Sequence, residues 1–442
     1  MSETSNAVRR LRVGFSIAVA VVIIAVVVSI WFPRVTYVAA VAAFFALTMA
    51  FPLVRRSQRL IGVVMVSVGV ITFVIAVTLG FEVVPLDLLN LNQDMVGMLG
   101  AVAFLGFIAR TVGEVRPRLS GAPAVWRTAL MTHVLGSVIN MSAVTVVGDY
   151  LRRATGEIRP ADAMIMTRSF AAAGFWSPLW AGAALALAFT PTANFAIVAG
   201  VGIPFAFVVL ALSMPTVFRA LGNDLPEYQG YAISWQLLRI PVLLMATVLL
   251  LHFVLLPAVT VPKLVALSAL AVTVVATVLR DPRRFGPNFL AEVKLTLPGV
   301  SSEVSLFVSA GIMALGLGAL ISAVNFRLPF DGYSVWIAWA GIIVMVALVI
   351  MGVHQVISVG FIGTLVMPLH PDPTLFTAAI AMGWGTSVAA GPLTGLQMYM
   401  QGRYNVSGTA TSKRNIPYFA ACLILSLPAL FLVQWLSGLA AG

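Results

Sequence analysis

The sequence predicts an all-α polytopic membrane protein of two inverted repeats, each with a re-entrant hairpin and a broken transmembrane helix, about 11 spanning helices plus 2 hairpins in all. Three observations predict it. Hydrophobic residues make up 60% and charged residues 9% of 442, and the mean hydropathy is +1.03. A soluble domain with that composition could not cover its surface with polar groups. The apolar runs reach about twenty residues, the length that crosses a hydrocarbon core as a helix. The basic residues between the runs alternate in side, except at two places where the chain must enter and leave on one side.

The net charge of +11 does not point to nucleic acid: the basic residues lie between apolar runs, and no stretch interleaves them with aromatic residues. The single cysteine, Cys422, lies in the last apolar run, which excludes disulfides within the chain and cysteine-rich metal sites. The first run, 11–32, follows Arg9, Arg10 and Arg12. It is too long for a signal peptide, and "WFPR" is not a small-residue cleavage site, so it reads as the first membrane helix.

The elements follow in order of charge. Helix 11–32 starts in the cytoplasm, 35–54 returns to Arg55, Arg56 and Arg59, and 60–80 leads to an outer loop with Glu82, Asp87 and Asp94 and no Lys or Arg. Helix 95–113 comes back to Arg110, Arg116, Arg118 and Arg127. Region 124–154 is followed by Arg152, Arg153 and Arg159, so both its ends are cytoplasmic and it reads as a hairpin turning near Gly136–Ser142. Helix 165–190 crosses to the uncharged "PTAN" loop and 194–216 returns to Arg219. Helices 237–256 and 261–279 go out and back to Arg280, Arg283 and Arg284, and 302–325 goes out again. Region 333–368 begins near Asp331 and ends near His370 and Asp372, with no basic residue between Arg327 and Arg403, so it reads as a second hairpin, entered from outside with its tip near His354–Ser358. Helix 373–399 crosses inward to Arg403, Lys413 and Arg414, and 416–438 ends outside. Only Arg34, Lys263 and Arg327 of 26 basic residues then lie outside, which is the imbalance the rule demands.

The halves match. After a tail and first helix (1–34), residues 35–219 form repeat 1 and 220–442 form repeat 2. Each has two helices, a third beginning near an acid (Asp94, Glu303), a hairpin with His-x-x-x-Ser-Val, a Gly/Ser/Thr-rich helix and a closing helix. His133 precedes Ser137-Val138 as His354 precedes Ser358-Val359. The third helices share small-residue texture, and Gly97, Gly100, Gly311 and Gly316 are expected to serve close packing. The first repeat starts inside and the second outside. Inverted repeats with interrupted helices mark secondary transporters, with the substrate site at the bilayer midplane.

The interruptions can be placed. "AGFWSPLWAG" (173–182) sets Trp176, Ser177 and Pro178 in mid-membrane, and Pro178 removes an amide donor. "MGWGTSVAAGPLTG" (382–395) holds Gly383, Gly385, Thr386, Ser387, Gly391 and Pro392. Amides freed at the start of a second half-helix favour an anion, and freed carbonyls suit a small cation. Ser137, Asn140, Ser142, Ser358 and the residues of both interruptions are therefore the expected substrate-binding set. A Na⁺ site is expected near Ser137, Asn140, Gly383 and Thr386, and no other cofactor. His133 and His354 are proton-coupling candidates, weighed against a plainer role, a hydrogen bond that fixes a hairpin tip. Trp180 and Trp384 could wall the pocket or only pack. Gln397 and Tyr399 have even odds of facing the cavity. Arg168 is expected to snorkel to the cytoplasmic face, and Asp149 to pair with Arg152 at the surface.

The layout resembles the ion transporter superfamily, the divalent-anion:sodium symporters above all. The resemblance rests on architecture from about residue 35 onward and on "SVINMS" (137–142), "WSP" (176–178), "HQVIS" (354–358) and "GTS" (385–387), which stand where the family carries Ser-Asn-Thr motifs. It implies an elevator mechanism, a homodimer and small anionic cargo. The expectation is a secondary active transporter, not an enzyme, that moves a carboxylate-like anion across the bacterial inner membrane with Na⁺ or H⁺. Its partners would be that anion and the lipid bilayer. The alternatives are a membrane subunit that needs a soluble substrate-binding partner, and an exporter.

Overall fold

The computed structural model describes residues 3–89, 92–105, 119–231, 235–280, 285–326 and 328–441. The described residues form helices, turns and loops, with no strand. Among the described residues, seven helices are long and apolar enough to cross a membrane: 8–28, 33–50, 58–78, 195–224, 261–279, 289–323 and 416–440. The expected helix 95–113 is described only to residue 105, and its cytoplasmic arginines Arg110, Arg116 and Arg118 lie outside the described residues.

The chain divides into two units, and neither is continuous in sequence. The first comprises Met1–Ala109, Leu243–Asp331 and Gly360–Leu369. It holds α1 (Glu3–Val28), α2 (Thr36–Ala50), α3 (Arg56–Thr78) and α4 (Gln93–Ala103). α10 (Trp235–Leu250) runs into it and ends in a single widened turn, Leu251–Leu255. α11 (Val261–Arg280), α12 (Phe285–Thr296) and α13 (Ser301–Ala323) complete its helices.

α13 lies along α3, α1 packs on α2 and α4, and α11 on α4. Small residues set these distances. A Cβ on Gly316 would overlap the Gly69 carbonyl oxygen, and one on Gly69 would strike the Ile312 carbonyl, so α3 and α13 touch backbone to backbone. Gly97 and Gly100 admit Val26, Ile23 and Val19 of α1 in the same way. Of the two matched acids, Asp94 faces Lys263 at 3.8 Å, whereas the half-buried Glu303 leaves its shielded Oε2 without a hydrogen bond.

The second unit comprises Arg110–Val242, Gly332–Val359 and His370–Gly442. Here α5 (Ala122–Ile139) and α6 (Met141–Thr155) form the first hairpin. The first expected broken helix is α7 (Pro160–Ala173) and α8 (Ala181–Phe189), interrupted between them, and α9 (Phe195–Leu221) follows. α14 (Val335–Ile350) turns at Met351–His354 into α15 (Gln355–Val366). Residues 360–369 of that second segment belong to the first unit. The second broken helix is α16 (Pro373–Ala390) and α17 (Gly395–Tyr404), followed by α18 (Gly408–Arg414) and α19 (Ile416–Ala441).

α16 is the centre of this unit and packs against α14, α19, α8 and α7. Every one of its residues from Thr374 to Ala390 is buried. Its start is fixed by Pro373 in the first turn and by Asp372, whose carboxylate accepts from Leu375 N–H at 2.7 Å. A polar rivet ties the loop before α10 to α5: Arg127 donates to the carbonyls of Tyr231 (3.0 Å) and Gln229 (2.9 Å), and Tyr231 N–H donates to Thr128 Oγ1 at 2.8 Å.

Candidate functional site

The first hairpin turns at Asn140. This asparagine has φ 48° and ψ −132°, a conformation that favours glycine, and it both ends α5 and starts α6. Ser142 lies half-buried in the first turn of α6. Neither α6 nor α8 has a side-chain cap on its first amides. At α17, Thr394 Oγ1 accepts from Gln397 N–H at 3.4 Å.

The first interruption is stitched to the hairpin. Ser177 Oγ donates to the Ser137 carbonyl and accepts from Leu179 N–H. Trp180 Nε1 donates to the Gly136 carbonyl at 2.8 Å. Ser137 Oγ turns back onto Val134 O at 2.8 Å. Pro178 is buried in the same turn.

His133, fully buried on α5, closes the arrangement. Its Nδ1 lies 3.1 Å from the Ser169 carbonyl and its Nε2 3.0 Å from Trp176 Nε1. A carbonyl only accepts and an indole only donates, so Nδ1 carries the proton and Nε2 accepts. The imidazole is neutral in this geometry, and it ties α5 to α7 and to the interruption.

The second interruption falls at Gly391–Thr394, at the end of the stretch 382–395 that the sequence marked. Gly383, Gly385, Thr386 and Ser387 stand inside α16. Their hydroxyls turn back on the helix, Thr386 onto Met382 O at 2.7 Å and Ser387 onto Trp384 O at 2.9 Å. The glycines serve contact: a Cβ on Gly385 would stand 2.5 Å from the Phe175 ring, and one on Gly383 3.0 Å from Met345 Sδ. On α8, a Cβ at Gly182 would stand 2.5 Å from Trp384. The two broken helices therefore cross where Phe175 and Trp384 bear on glycine.

The turn of α14 into α15 meets the second interruption, because Gly391 admits Val349 and a Cβ on Gly352 would stand 3.5 Å from Leu393. His354 Nδ1 accepts from Val356 N–H at 3.3 Å. Ser358 lies one turn further, inside α15 and fully buried. Its hydroxyl, the Gln355 amide nitrogen and both polar atoms of the fully buried Gln397 have no hydrogen-bond partner.

Two sequence readings are corrected here. Arg168 does not snorkel: it is 0% exposed, and its guanidinium is engaged by Asn415, Ser213, Thr216 and Arg414. Asp149 pairs with Arg403 rather than Arg152, through two bonds of 3.0 and 2.6 Å, and also accepts from Tyr404 Oη at 3.0 Å. Thr145 and Tyr399 bond at 2.5 Å beside it, so α6 and α17 are joined along their length. Asn415 and Tyr404, which hold Arg168 and Asp149, escaped sequence reasoning. The available signal was an arginine within an apolar stretch, which requires acceptors somewhere in the chain.

The fold and its seven long apolar helices define an all-helical, multi-pass membrane protein in contact with the lipid bilayer. Comparison with protein-family models and with curated proteins gives no match. Among solved structures the chain is similar to the YdaH transporter of Alcanivorax borkumensis, described as having an unusual topology. The TM-score is 0.53 at 13% identity, over 85% of this chain and 98% of that one. That likeness concerns the fold.

Proposed function

We propose that the protein is a secondary active transporter for a small, carboxylate-like organic anion, coupled to Na⁺ or H⁺ and moving by an elevator mechanism. The observation that carries the reading is the donor-rich set of chain reversals in the second unit. α6 and α8 start without side-chain caps, so their first amides are free to meet an acceptor. Ser358, Gln355 and Gln397 add buried polar groups without partners. The transporter with which the chain shares its fold supports the same class.

The proposed contacts are Ser137, Asn140, Ser142, Trp176, Ser177, Pro178, Ser358, Gly385, Thr386 and Ser387. His133 and His354 remain the proton candidates. A proton arriving at His133 Nε2 would face the Trp176 N–H donor, so uptake there requires Trp176 to swing away; protonation and movement of the interruption would be one event. The repeats 35–219 and 220–442, the homodimer and the cytoplasmic N-terminus belong to the same proposal.

Thermal unfolding of the purified protein with a panel of small carboxylates, sulfonates and amines, with and without Na⁺ at two pH values, tests it. An anion at about 100 times its Kd stabilises a native-state binder by about 2.7 kcal/mol. A shift from amines alone would sink the anion reading. No shift from any compound would favour a subunit that takes its cargo from a soluble partner.

A further inference from the structure

A helix leaves its last carbonyls without intrahelical donors, and in an interrupted membrane helix those oxygens are where a metal cation would sit. At the end of α16 they are occupied. Ser387 O accepts from Gly391 N–H at 2.9 Å and Val388 O from Thr394 Oγ1 at 3.1 Å. Ala389 O accepts from Asn415 Nδ2 at 3.2 Å, and Ala390 O from Ser412 Oγ.

Asn415 is the pivot. It is fully buried; its second amide contact is Thr167 Oγ1 at 3.0 Å, and its Oδ1 accepts from Arg168 Nε at 2.9 Å. The other Arg168 donors reach Ser213 O (2.9 Å), Thr216 Oγ1 (2.6 Å) and Arg414 O (2.7 Å). Among the described residues no carboxylate pairs with this arginine. Isolated buried charge is costly, so the compensation must come from dipoles. Arg414 is the last residue of α18, and Ala389 is next to the last of α16. Two helix C-termini, each the negative end of its macrodipole, thus converge on one guanidinium, α18 directly and α16 through Asn415.

We propose that Arg168, acting through Asn415, is a resident cation that fills the carbonyl end of the second interruption in place of a coupling metal ion. A Na⁺ placed on Ala389 O would meet the Asn415 N–H and the guanidinium behind it, two positive ends in a medium of low dielectric constant. The hydroxyls of Thr386 and Ser387 donate to carbonyls of their own helix, one turn before the carbonyl end that Asn415 caps. Arg168 is a positioning residue here, since it acts on the interruption through Asn415. The functional meaning rests on the transport reading; the capped helix end does not.

The test is thermal unfolding of the full-length protein in NaCl against choline chloride at constant ionic strength. The native chain is expected to show no Na⁺-dependent rise in Tm. Arg168→Met is expected to gain one, and Arg168→Lys is not. Asn415→Ala carries the same expectation as Arg168→Met if that variant does not fold. A Na⁺-dependent rise in Tm of the native chain overturns the proposal, and so does a folded Arg168→Met or Asn415→Ala that gains none. Failure of the transport reading would be seen in the anion panel and would leave these shifts as they are.

Discussion

His133 and Asn140 show how single side chains set the first hairpin. His133 uses both ring nitrogens, one toward Ser169 and one toward Trp176. Trp176→Phe keeps the ring but deletes the donor, leaving a buried acceptor unpaired. It should cost about 1–3 kcal/mol in the free energy of unfolding, and an unchanged unfolding curve would remove the bond from the account. Asn140 holds a backbone conformation that costs a non-glycine residue about 1–3 kcal/mol. Asn140→Gly should therefore raise the unfolding free energy by about 1 kcal/mol after glycine's own entropy is counted. The same variant should weaken the thermal shift given by the transported anion. Stability that falls in this variant would mean that the asparagine side chain, not the turn, is what matters at 140. The polar residues of the interruption were legible in the sequence because Pro178 and Ser177 stand in an apolar run. The burial of Arg168 was not, because its partner Asn415 is 247 residues away and its other acceptors are mostly carbonyls, which every residue carries.

At the level of helices, sequence reading found the hairpin, both interruptions and seven long spans, since each depends on local apolar length and on proline. Within the stretch 382–395 it did not separate the break at Gly391–Thr394 from the helical glycines before it. Glycine within a helix reads as a break, yet in α16 it is a contact surface, and that distinction depends on which side chain lies opposite. Gly385→Ala tests it. The new methyl would stand 2.5 Å from the Phe175 ring and 2.8 Å from Ala171 O, so overpacking of about 1–3 kcal/mol is expected. If Gly385 were a hinge instead, alanine would be accommodated at little cost to Tm. The short α12 went unread because its twelve residues include Glu292 and Lys294 and fall below any apolar-run test. The α6–α17 pairing belongs to this scale as well. Asp149→Asn removes a partly exposed ion pair and should change stability by no more than about 1 kcal/mol, measured by thermal unfolding; a larger loss would mean that the pair holds the two helices together.

For the molecule as a whole, the charge pattern makes a topological prediction. A cysteine in place of Arg153 should react with an impermeant maleimide only from the cytoplasmic side. Labelling from outside would remove the re-entrant reading of residues 124–154. The division into two units was not legible, because the repeats follow chain order and the units do not. The first unit takes its last piece, Gly360–Leu369, from deep in the second half of the chain. Neither unit can then be finished early in biosynthesis: the first waits until residue 369 of 442 has left the ribosome, and the second waits for the C-terminal helix. Helices inserted by then must stay loosely associated in the bilayer, where the insertion machinery or membrane-bound chaperones would have to shelter them. A nascent chain stopped at residue 350 should be cleared by quality-control proteolysis rather than persist as a folded half.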